Sequence, residues 1–563
     1  MTTAALSAIP GLTGTDDSVQ LLLQSKSIFS ASGEQPTKLA NFINGEYLAP
    51  AAGQYFDSPE PATDTVLVRV PDSTSADVDA AVKAAKDAFP AWSRTSHEAR
   101  SQLLLKVAQL LDERADEFAL AESRDQGKPV WLAKAMDISR SAANFRYYAT
   151  YFLHAPEHAA HHEYHVPSSS KPGQMETKHA LSYTQRQPVG VGALVSPWNL
   201  PLYLLSWKIA PCIAAGNTCV CKPSEFTSVT AYLLCQVLAD AGIPAGVVNM
   251  VFGTGRNAGG PLTTHTDVDL ISFTGGTVTG GIIAKAVAPT FKKLSLELGG
   301  KNPNIIFADC NLETAVRTSV RSSFLNQGEI CLCGSRILVE RSILDKFSEQ
   351  FTAAVEKQVI IGDPLAPGVF MGPVVSKQHF QKVTSYINHA FTVEEQAKAA
   401  SKPSPVRVIY GGNYNVQHLD DSSLSLEAAS QVKQLPALNL PERVKNGYFI
   451  QPTIIVCEDR DSKLLKEEIF GPVVTITPFD TEEEAVELAN ATEYGLAASV
   501  WSNNDHRLRR VAAALHIGTV WCNCWLIREL SMPFGGMKNS GVGREGGAYS
   551  VDFYTEAKAI CLG

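Results

Sequence analysis

The sequence predicts an α/β protein whose core is a doubly wound parallel sheet, and two observations carry that prediction. From residue 189 to 298, short apolar runs alternate with amphipathic stretches, and a second alternation of the same kind runs from about 303 to 525. At 563 residues the chain is also too long for one ordinary domain.

Taken in order, residues 78–126 repeat apolar side chains at intervals of three and four and read as helices. "VGVGALVS" from 189 reads as a buried strand, followed by "LYLLSWKIAPCIAAG" as a helix with Gly216 near its end. "NTCVCK" is a second strand, and "TSVTAYLLCQVLADAG" a helix capped by Thr227 or Ser228 and closed by Gly242. "GVVNMVFG" and "VDLISFTGG" give a third and fourth strand, "VTGGIIAKAVA" a helix, and "KKLSLEL" a fifth strand. Sheets of this kind bind ligands beyond the carboxyl ends of their strands. The polar, turn-rich stretch 411–446 reads as a surface insertion.

Composition narrows the function classes. Hydrophobic residues make up 45% and charged residues 19%, and 48 basic against 57 acidic side chains leave a net charge of −9. No basic stripe with interleaved aromatics appears, which argues against a nucleic-acid partner. No apolar run reaches the roughly 18 residues a membrane span needs. Residues 1–39 carry Asp16, Asp17 and Glu34 but no arginine, so they read as an arm rather than a targeting segment, and a cytoplasmic location is expected.

"SSFLNQGEICLCGSR", residues 322–336, places Cys331 and Cys333 one residue apart. A metal-ligand pair, two inert buried thiols and a nucleophile compete as readings. The metal reading wants a second pair or nearby histidines at ligand spacing, and neither accompanies this C-x-C. A nucleophilic thiol needs positive potential or a base. "KKLSLELGGKNP" puts Glu297 on the strand face opposite Leu294, Leu296 and Leu298, and a carboxyl isolated there serves as a general base when its pKa is raised. "SPWNLP" sets Asn199 on a loop stiffened by Pro197 and Pro201, where an amide donor suits a developing oxyanion. "KPSE" offers Lys222 and Glu225 for ribose hydroxyls, and "FTGGTVTG" offers Gly275 and Gly276 at a helix start for phosphate.

Together with "EEIFGPV" and "PFGGMKNSGVGREGG", these segments resemble the NAD(P)-dependent aldehyde dehydrogenase superfamily from about residue 41 to 560. Glu297 and Cys331 lie 34 residues apart and Asn199 and Lys222 lie 23 apart, as in that family. The resemblance implies Cys331 as nucleophile, passing through a thiohemiacetal and a thioester. It implies Asn199 and the Cys331 amide as oxyanion hole, and Glu297 as the base that activates water. It further implies that Lys222 and Glu225 meet the adenosine ribose, that Glu468 and Phe470 meet the nicotinamide end, and that Trp198 and Gly275 line the path between. NAD is the expected cofactor, with NADP possible, and no metal site is expected. Gly276 departs from the family pattern, which usually has serine there.

The resemblance also implies the architecture. Residues 40–165 and 186–298 would form the cofactor domain and 299–528 the catalytic domain. Residues 166–185 and 529–563 would form a small β region that joins subunits into a homodimer or homotetramer. The His-rich stretch 154–167 precedes that hairpin and reads as surface.

"CNCWLIRELSMPFGGMKNSGVGREGG" is most similar to the 2-aminomuconic and 2-hydroxymuconic semialdehyde dehydrogenases of that superfamily, with Arg528 in the loop that faces substrate. Arg140, or less readily Arg146, is a second cation from a helix that lines the tunnel in relatives, and Lys134 stands where close relatives carry an arginine. Two arginines suit a substrate that ends in a carboxylate. The alternatives are an enzyme for neutral or cationic aldehydes such as retinal or betaine aldehyde, and a non-catalytic descendant; the intact Cys331, Glu297 and Asn199 oppose the latter.

Overall fold

The computed structural model describes Phe29 and residues 35–154, 158–418 and 437–563. Most of the 1–39 arm and the middle of the 411–446 insertion lie outside the described residues.

The first alternation forms an eight-stranded sheet. Its five central strands are parallel, in the spatial order Lys293–Glu297, Leu270–Thr274, Val191–Val195, Thr218–Lys222, Val248–Met250. Chain order therefore reverses beside Val191–Val195, which opens a crevice at the carboxyl edge. Both faces of these strands are covered, which is why they read as continuous apolar runs rather than as alternations. Val191, Ala193, Val220, Ile271 and Phe273 pack on one face with Val78, Val82 and Ala85 of the helix Ser75–Trp92. On the other face Leu194, Cys219, Cys221 and Leu270 meet the helices Pro201–Ala214 and Val229–Asp240. Leu294, Leu296 and Leu298 join the first cluster, and Glu297 stands apart from it.

The cap expected of Thr227 or Ser228 is supplied differently. Ser228 occupies the cap position but its hydroxyl donates to the Ser224 carbonyl at 3.2 Å instead of accepting a helix amide, and the buried Asp125 accepts the Val229 amide at 2.8 Å. A carboxylate at a helix start meets both an orphan donor and the positive end of the dipole.

The second alternation forms a seven-stranded sheet in the order Val406–Tyr410, Thr453–Cys457, Val473–Phe479, Arg336–Glu340, Pro303–Ile306, Ala497–Trp501, Thr519–Cys522. Only Val406–Tyr410, at the edge, is antiparallel. Gly541–Val542 returns to the first sheet and pairs antiparallel with Leu296 and Glu297.

A separate three-stranded antiparallel sheet joins Ala159–Pro167, Met175–Pro188 and Thr555–Leu562. Its hairpin starts seven residues before the expected 166, because pairing runs unbroken from Ala159 opposite Tyr183 to Pro167 opposite Met175. His161, His162 and His165 lie on that exposed edge strand. No described helix is long and apolar enough to cross a membrane.

Candidate active site

The loops at the carboxyl edge of the first sheet carry the polar residues singled out in the sequence. Asn199 follows the strand Val191–Val195 and is 3% exposed. Its Nδ2 donates to the carbonyl of Glu329 at 2.8 Å, and its own carbonyl accepts from Lys128 Nζ at 2.9 Å and Asn326 Nδ2 at 3.0 Å. Lys128 is fully buried and pairs with Asp137 at 2.8 Å. These bonds lock the Asn199 loop to the segment that precedes Cys331.

That segment is conformationally unusual. After the helix Leu312–Phe324 the chain turns through Asn326 at φ 52° and Gln327 at φ 58°, then Gly328 at φ 73°. A Cβ at Gly328 would stand 2.3 Å from the Gly471 carbonyl oxygen, so only glycine fits where the two loops cross. Asn302 Nδ2 donates to the carbonyls of Cys331 at 2.7 Å and Cys333 at 2.8 Å, which fixes the turn between them. The two thiols differ in setting. Cys331 is partly open, whereas Cys333 is sealed in an apolar cluster with Leu325, Trp521 and Trp525, and burial pushes its thiol up to about 12.

Burial also raises the Cys331 thiol, with Glu297 and Glu468 adding to the effect and Arg528 opposing it. Glu297 is 5% exposed, and neither carboxyl oxygen has a hydrogen-bond partner. Burial and the neighbouring Glu545 raise its pKa well above the usual range, against Lys208 and Arg528. Glu545 in turn accepts from Trp207 Nε1 at 2.7 Å and from Lys208 Nζ at 3.4 Å, and Lys208 also donates to Ser272 at 2.8 Å. A buried carboxyl with two unbonded oxygens and a raised pKa can take a proton from a water or a thiol that reaches it.

The cofactor candidates line the same edge. Lys222, 2% exposed, donates to Glu225 at 3.3 Å. Burial alone would raise the Glu225 carboxyl, but Lys222 and the Gly255 amide hold it below the usual carboxylate range. Gly276 caps the helix Thr277–Val287, and a Cβ there would meet nothing within 4 Å. At Gly275 a Cβ would come within 2.5 Å of the Phe273 ring. Glu468 accepts the Gly300 amide at 2.8 Å. Trp198 and Phe470 meet edge to face at 5.3 Å. An open helix N-terminus, an ionised acid held by a lysine and an aromatic pair fit a dinucleotide.

Arg140 and Arg528 converge on the ring of Trp207. The Arg140 guanidinium lies over Tyr203 at 5.4 Å and Trp207 at 6.0 Å, and that of Arg528 over Trp207 at 5.6 Å and Phe534 at 3.7 Å. Arg528 donates to the Tyr203 hydroxyl at 3.2 Å, while Arg140 Nε and Nη2 are buried without a hydrogen-bond partner. Among the described residues neither arginine lies in an ion pair, and the surface pairing of Arg528 with Glu529 does not form. Lys134 and Arg146 face elsewhere: both are exposed and paired, with Asp116 and Asp112 respectively. The sequence reading overlooked Lys128, Lys208, Tyr203, Trp207, Glu329 and Glu545. Only Lys208, a charge inside the apolar run "LLSWKIAP", carried a local signal.

The chain belongs to the aldehyde dehydrogenase family, whose sequence profile matches residues 47–402 and 410–560. It is an NAD(P)-dependent oxidoreductase that converts an aldehyde to a carboxylic acid. A human 2-aminomuconic semialdehyde dehydrogenase is 49% identical over 93% of this chain and 98% of its own. A Pseudomonas 2-hydroxymuconic semialdehyde dehydrogenase is 42% identical over 93% and 99%. The solved NAD+ complex of a Bacillus cereus aldehyde dehydrogenase superposes with a TM-score of 0.80 at 37% identity, covering 93% of this chain and 96% of that one.

Proposed function

We propose that this enzyme oxidises a semialdehyde whose far end is a carboxylate, of the 2-aminomuconic 6-semialdehyde type, and that Cys331, Glu297 and Asn199 perform the chemistry. The single observation that carries the substrate reading is the pair Arg140 and Arg528. Two guanidinium groups share the Tyr203–Trp207 wall with no acid in ion-pair reach among the described residues. Two half-buried cations this close without an acid are unfavourable, and an incoming carboxylate relieves both at once. The names of the most similar relatives support the same substrate class.

In this reading Cys331 gives its proton to solvent, with Arg528 favouring the ionised form, and the thiolate adds to the aldehyde carbon while the Asn199 amide and the Cys331 backbone N–H receive the charge that develops on oxygen. Lys222 and Glu225 hold the adenosine ribose, Glu468 and Phe470 meet the nicotinamide end, and Trp198 and Gly275 line the passage between. When bound, the cofactor supplies the hydride acceptor that lets the thiohemiacetal become a thioester. Glu297 then takes a proton from water, the hydroxide attacks the thioester carbon, and the acid leaves as the C–S bond breaks. The ionised Glu225 repels a 2′-phosphate and favours NAD over NADP.

The remaining assignments rest on the same resemblance. Residues 40–158 and 189–298 act as the cofactor domain, since the hairpin takes 159–188, and 299–528 as the catalytic domain. The small sheet, with residues 529–563, joins subunits into a cytoplasmic homodimer or homotetramer.

The test compares kcat/KM for two aldehydes of matched length, one ending in a carboxylate and one in a neutral group. The carboxylate substrate is expected to win by about 100-fold, and Arg528→Ala to abolish the difference. Equal values in the unaltered enzyme would remove the carboxylate assignment and leave a neutral-aldehyde dehydrogenase.

A further inference from the structure

Phe470 holds a backbone conformation that a bulky residue seldom adopts, with φ at 61°. Such a conformation persists only where its surroundings over-determine it. Here the restraint comes from His379, whose Nε2 lies 2.6 Å from the Phe470 carbonyl oxygen. A carbonyl can only accept, so Nε2 carries the proton and Nδ1 is bare.

The imidazole is itself fixed from several sides. It sits in the first turn of the helix Lys377–Ala399, where Ser376 caps by accepting the His379 amide at 3.2 Å. Its ring meets Trp198 edge to face at 4.8 Å and Phe470 at 6.1 Å. Its Nε2 stands 3.6 Å from Glu329 Oε1, on the residue whose carbonyl receives the Asn199 amide. Burial, reinforced by Lys382, lowers its pKa to about 3, so the ring is neutral throughout the working range. The side chain therefore acts by hydrogen bonding and shape, not by charge.

We infer that His379 is a positioning residue for the cofactor: its Nε2–H clamps the Phe470 carbonyl and sets the Phe470 and Trp198 rings as the paired wall of the nicotinamide pocket. The inference rests on the proposed placement of Phe470 at the nicotinamide end, with Trp198 packed edge to face against it. It explains how a side chain with no catalytic duty of its own links the helix Lys377–Ala399 to both the cofactor wall and the Cys331 loop.

The experiment measures the Kd of NADH by its fluorescence and the KM for NAD in four full-length variants, with Tm recorded for each. His379→Leu, which removes the donor, should raise both constants about tenfold, with a larger effect on KM than on kcat. His379→Gln carries an amide nitrogen to the place of Nε2 and should return both to within about twofold of the unaltered enzyme. His379→Asn is too short to reach and should not. Wild-type binding by the Leu variant, or equal defects in Gln and Asn, would overturn the clamp; if the Leu variant fails to fold, the Gln and Asn pair decides alone. Phe470→Ala tests the underlying reading separately. If it binds NADH normally, the placement of Phe470 is wrong. If it weakens binding while His379→Leu does not, only the clamp falls.

Discussion

Asn199 gives one amide proton to the carbonyl oxygen of Glu329 at 2.8 Å, and that bond fastens the loop after the strand Val191–Val195 to the segment that leads into Cys331. An amide nitrogen has a second proton, and on the proposed mechanism this one meets the oxyanion. Asn199→Ala should lower kcat by about 100- to 1,000-fold. Asn199→Asp should do at least as much, because it sets an acceptor against the Glu329 carbonyl and a negative charge where another develops. Steady-state rates of NADH formation check both; a loss of only a few fold in Asn199→Ala would exclude the oxyanion role.

Glu297→Gln separates the two halves of the reaction. Its carboxyl oxygens have no hydrogen-bond partners to lose, so the isosteric amide should fold normally. On the proposed mechanism release of the acid requires this base, whereas acylation of Cys331 does not. The variant should show a rapid burst of NADH close to one per active site, followed by a steady state slowed about 100-fold or more. Stopped-flow absorbance reads both phases, and a lost burst would assign Glu297 to thiol activation instead.

The pH dependence follows from the same carboxyl. Burial and Glu545 raise the Glu297 pKa, so its ionised, competent form grows as pH rises through that value. Where thioester hydrolysis limits turnover, kcat should climb with pH along a limb set by Glu297. Replacing Glu545 by glutamine removes the like charge, lowers the Glu297 pKa and should move that limb to lower pH. The Gln can still accept from Trp207, so the local packing has a reason to survive. A kcat–pH profile of the two proteins decides, and an unmoved limb would dissociate it from Glu297.

Much of this arrangement was legible in the sequence, and what was not has a physical reason. The five parallel strands announce themselves because both faces are buried, and Glu297 stands out because it sets a carboxyl on the buried face opposite Leu294, Leu296 and Leu298. Asn199, Lys222 and Cys331 sit in short local patterns. Lys128 reaches Asn199 across 71 residues of chain, and Gln126 reaches Glu329 across 203. No local pattern encodes such pairs. The left-handed backbone at Asn326, Gln327 and Phe470 is equally silent, since none is a glycine. Arg140 and Arg528 were visible as charges; that both rest on Trp207 became apparent only in the fold.

The glycine turn at the phosphate candidate offers a gain of function. At Gly276, φ is −70° and an added Cβ would meet nothing within 4 Å, so serine fits without strain. Its hydroxyl would add a donor at the helix start, and Gly276→Ser should lower the KM for NAD by about three- to tenfold. Gly275→Ala should do the opposite, because its Cβ would come within 2.5 Å of the Phe273 ring and force the turn to move. KM and Tm measured together distinguish the two. A serine that leaves KM unchanged would place the pyrophosphate away from this helix.

Lys128 combines a structural and a positioning duty. Its ammonium and the Asp137 carboxylate are both fully buried at 2.8 Å, and the same nitrogen donates to the Asn199 carbonyl. Removing one partner of such a pair strands a charge in the interior, which costs about 3–5 kcal/mol. Lys128→Met should therefore lower Tm markedly, and adding Asp137→Leu should recover part of the loss because the carboxylate that Lys128 pairs with is removed as well. If the Lys128 bond also holds the Asn199 loop, the double variant should recover stability without recovering kcat. Thermal unfolding and steady-state kinetics on the single and double variants test this split. Recovery of both quantities together would reduce Lys128 to a purely structural residue.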